Sequence, residues 1–319
     1  MAMKLLFVVH RYGYPGGSEI YTQSMAEECL RRGHAVAVFA GEHRGDMNGV
    51  VVSNNPNILM QPWDLIIVHG GDVSVQDFVL SNATVIASPV LWLLVLPSQS
   101  AVCLQALQDC DWLGCSTAQD WDHCALHGVG HKAVRIRHGV TAGDCLGRPG
   151  FKARHGINTR MFLSCGGYWP NKAMQELARL WTITRMPNAV LVTTGYDNRM
   201  NLMPEPSAAV LPLLLDDRSD VLSAMSEADC VIMHSYTEGF GLVLLEAMLN
   251  RTPWIARRIA GAALLQDYGK TYQTNGEFAY LLKKWDTLDF PVAAAYDHVM
   301  ANHLIANTVD DILAVIEKT

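Results

Sequence analysis

Short apolar runs alternate along this chain with longer segments of helical period, the pattern of a parallel sheet whose strands are covered on both faces. In the first half the apolar runs fall at 5–9, 36–40, 65–69, 84–87, 111–115 and 133–137, each predicted as a strand. A glycine-rich loop, Gly13 to Ser18, follows the first run and leads into a helix predicted over 19–32, which Gly33 stops. A second helix is predicted over 117–126. Periodicity fades through 139–150, where glycines and Pro149 mark a linker.

The alternation then restarts. Strands are predicted at 161–165, 189–194, 210–215, 230–233 and 254–256, and helices at 173–182 and 219–226. The tail over 292–318 reads as helix interrupted around Asn302. Strands alternating with helices in two successive blocks predict two doubly wound α/β domains. A length of 319 residues suits two such cores.

The most informative run is Ser235 to Met248. Glu238 and Glu246 lie on either side of a Gly-Phe-Gly turn that follows the apolar strand 230–233 and opens an amphipathic helix. Strand, tight turn and helix in that order aim the free N–H groups of the helix start, around Phe240, Gly241 and Leu242, at a space that suits an anion. Glu238 stands on the loop and Glu246 more than a turn inside the helix, so the two acids would touch different parts of one phosphorylated ligand.

This run resembles the E-x7-E signature of retaining, nucleotide-sugar-dependent glycosyltransferases of the GT-B fold, family 4. The resemblance implies an α/β GT-B architecture: two facing Rossmann-like domains with parallel sheets and a C-terminal helix crossing back to the first. The implied acceptor-side domain is 1–145 with the helix 303–319 packed on it, and the donor-binding domain is 146–302. Further likeness lies in Pro15-Gly-Gly-Ser-Glu19, Arg32-Gly-His34, His138-Gly-Val140, Gly166, Lys172 and Gly261. By resemblance Gly16, Gly17, Lys172 and the amides around Phe240, Gly241 and Leu242 would hold the donor's diphosphate. Glu246 would bind the ribose hydroxyls, Glu238 the donor sugar, and residues 211–217 would line the base pocket.

Two departures from the family stand out. Gly167 occupies the place of an arginine that would grip the diphosphate, with Arg160 or Arg199 as substitutes. The stretch Ala87 to Val90 lacks a histidine that relatives carry beside the reacting sugar. His69 is the nearest replacement as a catalytic residue, with Asp72 beside it facing the acceptor; a strand-end histidine satisfied by its neighbours is the equal alternative.

Composition narrows the function. A net charge of −7 leaves no basic stripe for nucleic acid, and no predicted segment is long and apolar enough for stable membrane insertion. The run 3–9 is too short for a signal sequence, and eight cysteines without one suit a reducing cytoplasm. Among Cys110, Cys115, His123, Cys124, His127 and His131, the last two have an H-x3-H spacing, but Cys110 and Cys115 flank a predicted strand with opposite orientations; the cluster reads as core thiols with exposed histidines, so no metal is expected. The loop Gly13, Gly16, Gly17 is not G-x-G-x-x-G, and no acid closes the second strand over 38–40, which argues against a dinucleotide enzyme.

The resulting expectation is sugar transfer with retention from a UDP- or GDP-sugar, a co-substrate rather than a cofactor. The acceptor would be a hydroxyl on a small sugar, metabolite or glycan end. The alternative is a catalytically weak or inactive sugar-nucleotide-binding or partner subunit on the same fold. Epimerisation or phosphorolysis on that fold, and a pure interaction module, stand behind these.

Overall fold

The computed structural model describes residues 2–14, 16–44, 49–70, 74–95, 101–195, 202–215 and 217–317. Asp72 and Arg199 lie outside them, as does Asp216 of the expected base pocket. The chain divides into two compact units, 1–140 with 303–319, and 141–302.

In the first unit the elements run β1 (Lys4–Tyr12), α1 (Gly17–Arg31), β2 (Ala35–His43), β3 (Val51–Ser53), β4 (Leu65–His69), α2 (Ser74–Ser81) and β5 (Val90–Leu93). They continue with α3 (Ala101–Asp109), β6 (Trp112–Cys115), α4 (Ala118–Leu126) and β7 (Ala133–Arg135). Among the described residues these strands make one sheet of seven, ordered β3-β2-β1-β4-β5-β6-β7, and every pairing is parallel. All five residues of β4 are buried, as a central strand covered on both faces requires.

The second unit holds α5 (Phe151–Arg154), β8 (Arg160–Cys165), α6 (Met174–Thr184), β9 (Ala189–Gly195), β10 (Val210–Leu214), α7 (Arg218–Glu227) and β11 (Cys230–Met233). It ends with α8 (Leu242–Leu249), β12 (Trp254–Arg257), α9 (Ala260–Leu264), β13 (Lys270–Tyr272), α10 (Asn275–Lys283) and α11 (Val292–Asn302). Its described strands form a parallel sheet of six, ordered β10-β9-β8-β11-β12-β13. Phe162, Leu191, Ile232 and Ile255 from four of these strands share one core with Trp181 of α6 and Phe278 of α10. The last helix, α12 (Ile305–Ile316), returns to the first unit, where Val140 and Leu304 form a parallel bridge and Arg137 pairs with Asp311 at 2.6 Å.

Three expectations need correction. Residues 84–87 are turn rather than strand, and the strand in that position is β5, which starts after Pro89. Ile66 and Ile67 of β4 pair with Val90 and Leu91, so the proline sits at a strand entrance where its missing N–H costs nothing. The second strand does not stop at Ala40. It runs to His43 because Arg11 and Tyr12 of β1 continue to pair with Glu42 and His43, so this strand does carry an acid, Glu42, one residue before its end. Glu42 accepts from the Tyr14 hydroxyl at 3.2 Å in an exposed position. Finally, His123 is buried rather than exposed, its ring 4.7 Å from that of His127.

Candidate functional site

The strand order of the second sheet reverses between β8 and β11: the chain leaves β8 towards β9 on one side and leaves β11 towards β12 on the other. Loops at the carboxyl ends of two such strands part company and leave a crevice, the usual ligand position in open α/β sheets. The loop after β8 carries Gly166 to Lys172, and the loop after β11 carries His234 to Gly241.

These loops are tied to one another. The Asn171 carbonyl accepts from the Tyr236 amide at 2.7 Å, and its side chain donates to the Thr237 carbonyl at 3.2 Å. Lys172 Nζ donates to Glu238 Oε1 at 2.6 Å, and the Ser235 hydroxyl donates to the same oxygen at 2.6 Å. Both partners of the ion pair are largely shielded, with 23% and 11% of their side chains exposed. Lys172 is thus paired with an acid on the neighbouring loop.

A second ion pair stands on the next helix. Arg218, the first residue of α7, donates from Nη2 to Glu246 Oε1 at 2.5 Å and to Cys145 Sγ at 3.6 Å. Burial opposes the guanidinium's charge, but Glu246 and the Cys145 thiol together hold its pKa above the usual value. Cys165, at the end of β8, feels the charges of Glu246, Lys172, Arg218 and Glu238. Burial comes first among the causes that push this thiol up to about 12, which keeps it protonated and unreactive.

The helix carrying Glu246 is not amphipathic, contrary to expectation. Leu244, Leu245, Ala247, Met248 and Leu249 are all buried, leaving Glu246 as a carboxylate in an apolar rod. Gly241 caps its start with φ +91, a left-handed backbone, and an added β-carbon would meet Met233 Sδ at 2.8 Å. Phe240 is buried and its carbonyl accepts from Gly261 at 3.0 Å, while Leu242 and Val243 are half-buried. Leu242 and Val243 open the helix, where the first N–H groups have no intrahelical acceptor.

Behind the Glu238 loop lies a polar cluster that sequence reasoning missed. Glu176 of α6 accepts from the Tyr236 hydroxyl and from Asn275 Nδ2, the latter at 2.7 Å. Arg257 Nη2 meets His234 Nε2 at 3.2 Å, and His234 Nδ1 meets the Tyr272 hydroxyl. An arginine donates, so Nε2 accepts and the proton sits on Nδ1. Burial first and Arg257 second lower the His234 pKa, in keeping with that neutral tautomer.

The other expected residues fare differently. Arg160 opens β8 at its amino end and pairs with Asp286 at 2.7 Å, away from the carboxyl-end loops, so it does not stand in for the absent arginine. An added β-carbon at Gly167 would collide with the Trp169 indole, so a side chain there would have to displace that ring. Leu211 and Leu213, on the edge strand β10, are half-buried and Asp217 caps α7 by accepting from Ser219 at 2.8 Å.

In the first unit Gly16 caps α1, and a β-carbon there would strike the Glu19 carboxylate. Glu19 is paired with Arg11 at 3.5 Å; an acid so near disfavours a phosphate. Gly17 has open space around its α-carbon. His69 closes β4 and is buried, with Nδ1 3.2 Å from the Thr22 hydroxyl and its ring 5.1 Å from Tyr21. Burial depresses its pKa to about 4, with a backbone hydrogen bond at Ser18 opposing. Thr22 and Tyr21 thus hold the ring at the end of the strand.

Residues 159–290 match the family described as glycosyl transferases group 1. No curated protein matches the chain. Among solved structures, Anabaena HepE in complex with UDP-glucose is similar over 99% of this chain and 100% of its own, with a TM-score of 0.78 at 18% identity. A trehalose-6-phosphate synthase, OtsA, covers 99% of each chain with a TM-score of 0.78 at 12% identity. WaaG, a glycosyltransferase involved in lipopolysaccharide biosynthesis, covers 98% of this chain and 99% of its own, with a TM-score of 0.70 at 15% identity. The chain therefore has the GT-B glycosyltransferase fold, with its likeness to the glycosyl transferases group 1 family carried by residues 159–290.

Proposed function

We propose that this protein is a metal-independent, retaining glycosyltransferase of family 4 that moves a sugar from a UDP- or GDP-sugar to a hydroxyl acceptor in the cytoplasm. The observation that carries the reading is the Lys172–Glu238 pair at 2.6 Å on the two loops where the strand order reverses, just ahead of α8. The second unit's likeness to glycosyl transferases group 1, and the UDP-glucose named for HepE, support the donor class.

The difficult event is departure of a nucleoside diphosphate from an anomeric carbon that gains positive charge. Donors fixed on the leaving phosphate lower that barrier most, because they need no reorganisation as charge develops. Lys172 exchanges Glu238 for the diphosphate, joined by the amides of Leu242 and Val243. Glu238, released but still held by Ser235, accepts from the donor sugar's hydroxyls and faces the developing charge on its ring. Glu246 accepts from the vicinal ribose hydroxyls, for which an ionised carboxylate has the acceptor capacity.

Calorimetry with UDP and GDP tests this. Glu246→Ala is expected to weaken binding of whichever nucleotide the wild type takes by about 2 kcal/mol, roughly 30-fold. Unchanged affinity removes Glu246 from the site. For Glu238→Ala, donor turnover is expected to fall by about a hundredfold, as for loss of one charge-stabilising group; turnover at the wild-type rate defeats the catalytic assignment.

A further inference from the structure

Arg218 was not expected to take part in this site, and nothing about its place in the sequence marks it. Its guanidinium nevertheless reaches from the start of α7 to Glu246 Oε1 at 2.5 Å on α8. The pair is shielded, with 29% of the Arg218 side chain and 11% of the Glu246 side chain exposed. Cys145 Sγ, at 3.6 Å from the same Nη2, holds the guanidinium from a second direction. Cys145 is itself anchored, because its carbonyl accepts at 2.6 Å from Nδ2 of Asn250, the residue that caps the end of α8 one turn beyond Glu246.

A long glutamate side chain in an apolar helix has several rotamers and a strong penalty for burial without a partner. Arg218 removes both problems by fixing one oxygen. The other oxygen, Oε2, is then presented in one orientation.

We infer that Arg218 is a positioning residue for the donor's ribose: by holding Oε1 of Glu246, it presents the remaining carboxylate acceptors to the 2′- and 3′-hydroxyls. The inference rests on the nucleotide-sugar reading of the site and adds a residue to it. Arg218 acts through Glu246 and does not itself touch the nucleotide.

The experiment is calorimetric titration of UDP against 3′-deoxy-UDP, and of GDP against 3′-deoxy-GDP, into wild type, R218M and E246Q. Wild type should prefer one ribonucleotide over its deoxy form by roughly tenfold, as for one hydrogen bond to a charged group. E246Q should lose most of that preference, and R218M should lose it to a similar degree. R218M keeping the wild-type ratio while E246Q loses it overturns the role of Arg218 and leaves the site reading intact. E246Q keeping the ratio overturns the ribose role of Glu246 and the inference together, and so does a wild type that binds neither nucleotide. If R218M does not fold, R218M/E246Q is compared with E246Q, since neither leaves an unpaired acid. Equal ratios and equal UDP affinities support positioning, whereas a further loss of affinity shows Arg218 touching the nucleotide and overturns it.

Discussion

At the scale of single residues, two positions bear the clearest physical demands. Gly241 starts α8 with φ +91, and its missing side chain leaves room for Met233 Sδ. Gly241→Ala is expected to cost about 1–3 kcal/mol of stability through a strained backbone and a forced Met233. The midpoint of urea unfolding measures it. His69 is buried and neutral, with a pKa near 4 against an ordinary 6.5. Between those values the unfolded chain holds more protons than the folded one. Its contribution is therefore fully present above pH 6.5 and is lost as pH falls towards 4. Comparison of unfolding at about pH 7 and about pH 5 is expected to show this loss, on the order of 2 kcal/mol, and His69→Gln to flatten it. His138, depressed to about 3 by burial and then by His69 and His303, adds to the same slope.

At the scale of elements, α12 shows how a sequence stripe and charged contacts differ in weight. Ile305, Val309, Ile312 and Val315 form its buried face, and Arg32–Asp310 and Arg137–Asp311 flank it at 2.6 Å each. Ile312→Ala is expected to cost about 2–4 kcal/mol, and Asp310→Ala, whose side chain is 57% exposed, less than about 1 kcal/mol. Equal midpoints for the two variants in denaturant unfolding would contradict that ranking. Other elements were harder to foresee. Residues 84–87 are as apolar and β-branched as a strand, yet β5 starts at Val90 because only that register pairs with β4. The strands β3 and β13 have three residues each, too few to show a period, and exist through pairing with β2 and β12.

At the scale of the whole molecule, the similarity to HepE, OtsA and WaaG extends over nearly the entire chain although identity is 12–18%. Fold at that distance outlasts side-chain identity, so the donor must be found by binding. Nucleotide-diphosphate sugars screened by thermal shift should raise the unfolding midpoint for one base and sugar and not for its relatives. A ligand at a hundred times its dissociation constant adds about 2.7 kcal/mol by mass action. A flat panel would count against the proposed donor class.

The sequence by itself determined the alternation of strands and helices in both halves, the glycine turn before α8 and the spacing of Glu238 and Glu246. Those are local features, fixed by period and by backbone conformation within a few residues. Only the tertiary structure decided which cations meet the two acids. Lys172 lies 66 positions from Glu238 and Arg218 lies 28 from Glu246. No period links such residues. The reversal of strand order between β8 and β11 does, because it brings the loops of distant strands to one end of the sheet.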